Sequence, residues 1–116
     1  MNLTQRSDDE IMAVVDPIMD NLMDASTVID HARHVRDFTK RAKGMLSEEA
    51  LHAICTRYQR ERGFFTGRER VAIFRRPDSI AVIWRQRFTQ AQGDYVAELV
   101  LVEEQGRHLV DHVMVF

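Results

Sequence analysis

The sequence predicts an α+β fold in which N-terminal helices pack on a curved four-stranded antiparallel β-meander. Three observations carry this. Helix-start signals sit before Gly67 only, at Ser7, Ser26–Thr27 and Ser47. After Gly67 the hydrophobic period changes from 3.6 to 2. The residues that follow are rich in β-branched and aromatic types, in four runs parted by short turn signals. A chain of 116 residues is one ordinary domain, 1–116, with a helical half over 7–63 and a sheet over 67–116. Folding at this length buries roughly 65% of the unfolded surface, enough for a core without staples.

Ser7-Asp8-Asp9-Glu10 reads as a capping box, with the Ser7 hydroxyl taking the Glu10 N–H and the Glu10 carboxylate reaching back to Ser7. Ile11, Val15, Ile18 and Leu22 then make one stripe, and Met12, Met19 and Met23 widen it to about half the circumference. Pro17 removes the bond to the Ala13 carbonyl, so a kink is expected there. A second helix is expected from Ser26 or Thr27 to Gly44, its core side reading Val28, Ala32, Val35, Phe38 and Ala42. A third opens at Ser47-Glu48-Glu49, turns Leu51, Ile54, Cys55 and Tyr58 inward, and ends on Gly63 as a left-handed cap.

Strands are expected near Arg68–Arg75, Ile80–Thr89, Asp94–Glu103 and Arg107–Phe116, and connections this short make neighbours antiparallel. Uninterrupted alternation would give one face Ile80, Val82, Trp84, Gln86, Phe88, Tyr95, Ala97, Leu99, Leu101, His108, Val110, His112, Met114 and Phe116. The other would carry Ala81, Ile83, Arg85, Arg87, Val96, Glu98, Val100, Val102, Leu109, Asp111, Val113 and Val115. Both are largely apolar, whereas a sheet with helices on one side normally shows water a polar second face. A second copy of the chain is the simplest cover, with Arg85 or Arg87 pairing with Glu98 or Asp111 within or across the interface. The competing reading has the helices wrapping round both sides.

Net charge is -2, spread unevenly: residues 1–37 sum to -5, 38–56 to +1, 57–87 to +6 and 88–116 to -4. Fourteen of the sixteen basic residues are arginine, but no lysine-rich or aromatic-interleaved patch accompanies them, which argues against nucleic acid as a partner. Cys55 is the one cysteine, so no intrachain disulfide forms, and its helical spacing with Leu51 and Tyr58 makes it a buried small hydrophobe. The opening MNLTQRSDDE has no apolar run behind a positive start, and no later stretch reaches the roughly 18 apolar residues of a membrane span. A cytoplasmic protein with no membrane contact is the expectation.

The run from Arg36 to Phe74 resembles the cystatin-like, or nuclear-transport-factor-2-like, superfamily, in particular its small domains of unknown function. The matching pieces are Phe38, Leu46-Ser47-Glu48-Glu49, Gly63, Trp84 to Phe88, and Gly106 before the last strand. The resemblance covers the chain from about Asp24 to Phe116. It implies a cone with a cavity between helices and sheet, and dimerisation through sheets. It does not fix an activity, because this fold hosts isomerases, cyclases, dehydratases and plain binding modules.

Chemistry-bearing motifs are few. His31 and His34, with Asp30 and Asp37 nearby, could offer metal ligands, but a solvated face of alternating charge explains them better, and neither metal nor cofactor is expected. His108 and His112 share an expected face but stand about 13 Å apart at ~3.3 Å per residue, too far for one ion. His112 among Trp84, Tyr95 and Met114 would suit acid–base work in a cavity, with Tyr95 as its partner; a hydrogen-bonded core or rim histidine is the plainer reading. Asp111 falls on the opposite face, away from where the isomerase-like relatives place their base.

The expectation is therefore a non-enzymatic homodimeric binding module, regulatory through protein–protein interaction. Its interface candidates are Ile83, Arg85, Arg87, Val96, Glu98, Val100, Asp111 and Val113 on the sheet and the arc of Met12, Met19 and Met23. The alternative is a small-molecule enzyme or carrier of isomerase or cyclase type, with Trp84, Phe88, Tyr95, His112 and Met114 around the ligand.

Overall fold

The computed structural model describes residues 2–116. A short 3-10 turn at Leu3–Gln5 leads into α1 (Asp8–Val28), α2 (His31–His34), α3 (Lys40–Gly44), α4 (Glu48–Arg62), β1 (Phe65–Arg75), β2 (Ile80–Phe88), β3 (Ala91–Glu104) and β4 (Arg107–Val115). The four strands form one open antiparallel sheet in the order β1-β2-β3-β4.

The capping box at Ser7 is present in both directions, and Pro17 neither ends nor restarts α1. The helix runs past Ser26 and Thr27, the expected start of a second one. Their hydroxyls are committed elsewhere: Thr27 Oγ1 donates to the Met23 carbonyl at 2.8 Å, and Ser26 Oγ shares a 2.8 Å hydrogen bond with the Tyr58 hydroxyl. Ile29, at φ 55°, closes α1 in the left-handed conformation. The single helix expected over 26–44 is instead α2, capped by Asp30, and α3, capped by Thr39. Between them residues 37–39 run parallel to the edge of β4: Thr39 N–H donates to the Val110 carbonyl at 2.9 Å and Val110 N–H to the Asp37 carbonyl at 2.6 Å. As a result Val28 and Ala32, expected in the core, are exposed, while Val35 and Ala42 are buried. Gly63 ends α4 at φ 82° and ψ −137°, a positive φ but outside the left-handed helical basin.

The inner face of β2 and β3 is as expected, with Ile80, Val82, Trp84, Ala97, Leu99 and Leu101 packed under Ile11, Val15, Met19 and Leu22 of α1. Beyond Val110 the expected alternation in β4 is reversed. Leu101 pairs with Val110 but Val100 with His112, so Asp111 is an extra residue, a β-bulge. A one-residue slip sends every later side chain to the opposite face. Val113 and Val115 therefore pack on the core and His112 and Met114 lie outside. Val113 and Asp111, expected on an outer interface, are on the helix side; Asp111 accepts from Thr39 Oγ1 at 2.8 Å and Arg41 Nε at 3.1 Å.

Arg68 joins β1 to α1. Its guanidinium lies 5.2 Å from the Trp84 ring centre and reaches Asp16 and Asp20 at 3.2 and 2.9 Å. A second, smaller core unites Leu51, Cys55 and Tyr58 of α4 with Phe88, flanked by Phe65 and Tyr95. All helices lie on the inner face: Ala81, Ile83, Val96, Val100 and Val102 belong to neither core and stay partly exposed.

Candidate functional site

Between the two cores, where α2, α3 and α4 meet the β4 edge, the helices do not close on the sheet. A cleft of about 640 Å³ remains, lined by Met19, Leu22 and Met23 of α1, Leu51, Cys55, Tyr58 and Arg62 of α4, Phe65, Phe88, and the whole of residues 110–116. Its size is that of a ligand site, and its walls are mainly apolar with a few polar groups.

Those polar groups are specific. Ser26 Oγ bridges the Cys55 thiol, at 3.2 Å, and the Tyr58 hydroxyl. Burial pushes both the Cys55 thiol and the Tyr58 hydroxyl up, so both stay protonated at neutral pH. Cys55 hydrogen-bonds to serine rather than to a base, which makes it packing material and not an activated nucleophile. His34 is 8% exposed, and its Nδ1 has no hydrogen-bond partner. Burial first, and the charge of His31 second, lower it to about 4, so it is a neutral ring in an apolar wall. Arg62 stacks on Phe88 and Tyr95, with ring-centre distances of 5.3 and 4.9 Å. Among the described residues it has no carboxylate partner, whereas Arg41 pairs with Asp111 and Arg57 with Glu61.

The residues expected to make a pocket are divided by the bulge. Phe88, His112 and Met114 border the cleft; Trp84 is buried beneath Arg68, and Tyr95 lies under Arg62 outside the lining. The His112 ring turns to Glu98, at 2.8 Å, on the outer face. It does not meet Tyr95, so the pair expected to share acid–base work is not assembled. Of the methionine arc, Met12 and Met19 are buried in the core, and Met23 is half-buried beside Arg68. Ile83, Arg85, Arg87, Val96, Glu98 and Val100 do share the outer face, where Arg85 and Arg87 pair with Glu69 and Asp94.

Sequence reasoning missed His34 and Arg62. The alternating charges around it place His34 on a solvated face; the neighbouring Val35 and Phe38, both drawn inward, are the signal for the buried position it takes. Nothing in the periodicity marked Arg62, which the end of α4 places over two rings contributed by distant strands.

Comparison with known proteins adds the fold. No protein-family model and no curated protein sequence matches the chain. Among solved structures it is similar to a SEC-C-motif-containing protein from Rhodopseudomonas palustris, at TM-score 0.58 and 13% identity over 89% of each chain. It is also similar to a Bdellovibrio bacteriovorus protein at TM-score 0.55 and 8% identity, covering 92% of this chain but 40% of that one. The class defined is an α+β domain with N-terminal helices on an open four-stranded sheet. No helix of the described residues is long and apolar enough to cross a membrane.

Proposed function

We propose that this chain is a non-enzymatic binding module that works as a homodimer through the outer face of its sheet, with a regulatory role exercised on protein partners in the cytoplasm. The observation that carries the reading is the apolar strip of Ala81, Ile83, Val96, Val100 and Val102, which no helix covers. Arg85, Arg87, Asp94 and Glu69 form a charged border along it, the layout of an apolar centre with a polar rim. Two-fold pairing of this face would bury about 800 Å² per copy in a standard-sized interface. Order of elements and the cleft between helices and sheet also support membership of the cystatin-like superfamily.

Sedimentation velocity at micromolar concentration tests the reading. The wild-type chain is expected to sediment as a dimer, and Ile83→Arg or Val100→Asp as folded monomers with unchanged circular dichroism. A wild-type monomer at that concentration refutes it.

The cleft favours a second reading, a small-molecule carrier. The separation of Tyr95 from His112, whose ring turns to Glu98, supports carriage over isomerase or cyclase chemistry by that pair.

A further inference from the structure

The cleft has one wall made of main chain. Residues 110–116 all border it, and in a strand consecutive side chains point to opposite faces, so an unbroken run is possible only if the strand presents its edge. The hydrogen-bond ladder says which groups are presented. Phe116 and Val96 exchange main-chain bonds at 2.6 and 2.8 Å. By the antiparallel alternation Met114 and His112 also face β3, and the N–H and C=O of Val113 and Val115 face away from it. Those groups find no main-chain partner among the described residues. The same edge is already extended by one short parallel segment, residues 37–39 bonded to Val110, which stops where the cleft begins.

We infer that the cleft takes an extended acidic peptide from a partner protein, added to the sheet as a fifth strand along Val113–Phe116. The inference rests on the protein-binding reading above. Three further features fit such an occupant. Of the three arginines that line the space, Arg41 is paired with Asp111 and Arg57 with Glu61, and Arg62 has no carboxylate partner among the described residues, so the charge left for an occupant to complement is positive. His34 offers an unpartnered nitrogen in the wall. Met45, Ile54, Met114 and Phe116, from 50% to 73% exposed, all border the mouth, where alternate side chains of an added strand would rest.

The test titrates the full chain, labelled with nitrogen-15, with an acetylated and amidated peptide of alternating glutamate and valine. Saturable shifts of the Val113 and Val115 amides are expected, with slowed exchange of their protons. A peptide N-methylated at alternate residues should bind at least tenfold more weakly, as should the plain peptide to Arg62→Glu. Three outcomes overturn the inference: no shift up to millimolar peptide, equal binding of the N-methylated peptide, or displacement of the same resonances by decanoate but not by peptide. Because the proposed dimer uses the outer face and not the cleft, a wild-type dimer that ignores the peptide would sink this inference alone, and a monomer that binds it would sink only the dimer.

Discussion

Acid should loosen this fold through His34. The unfolded chain leaves its imidazole near the ordinary 6.5, while burial in the cleft wall holds it at about 4. Above pH 6.5 both states carry the neutral ring and no linkage exists. Between 6.5 and about 4 the unfolded chain takes up a proton that the folded chain refuses, so stability falls as pH falls, and below about 4 the loss levels off. At about 1.4 kcal/mol per pH unit, the loss is about 2 kcal/mol at pH 5 and about 3 kcal/mol once pH reaches 4. Urea denaturation at pH 7.5 and pH 5 measures it. With a slope of about 2 kcal/mol per molar urea, the wild-type midpoint should drop by about 1 M. His34→Leu, which keeps an apolar side chain beside Phe38, should lose that part of the drop. An identical pH dependence in wild type and His34→Leu would refute the reasoning.

Other substitutions test the architecture. Gly63→Ala places a Cβ against Thr89 Oγ1 at a backbone with φ 82°, and should cost about 1–3 kcal/mol by chemical denaturation. Asp111→Ala removes the acceptor that Thr39 and Arg41 share and should cost about 1–3 kcal/mol by the same measurement, with earlier amide exchange at Val110.

Much of the architecture was legible because the signals are local. The Ser7 capping box, the change of period after Gly67 and the four strand runs needed only neighbours in sequence, and each appears in the structure. The second helix was misread because Ser26 and Thr27 carry good capping chemistry that tertiary partners claimed: Tyr58 lies thirty-two residues from Ser26. The largest error, the faces of β4, came from one residue. A bulge at Asp111 leaves no mark in an alternating pattern that reads equally well in either register, since His112, Val113, Met114 and Val115 include apolar residues of both parities. That single residue also decides the site, because it puts His112 on the outer face beside Glu98, across the sheet from Tyr95. The stacking of Arg62 depends on rings twenty-six and thirty-three residues further along the chain, and the orphan nitrogen of His34 on a tertiary environment that spacing does not show.

Arg68 has a mechanical consequence. Its side chain is only 14% exposed and grips two carboxylates one helical turn apart on α1 while lying over Trp84 of the sheet. Rolling or sliding α1 by a single turn would strip the largely buried guanidinium of an oxygen partner, so this helix is latched to the strands in one position. α4 is held differently, by the Leu51–Cys55–Tyr58 cluster, by the buried Ser26–Tyr58 hydrogen bond and by Gln59 Nε2 donating to the Ser26 and Thr27 carbonyls. The sheet thus carries one helix fastened by charge and another fastened by a buried hydroxyl, and Arg62 closes the end of the second over Phe88 and Tyr95.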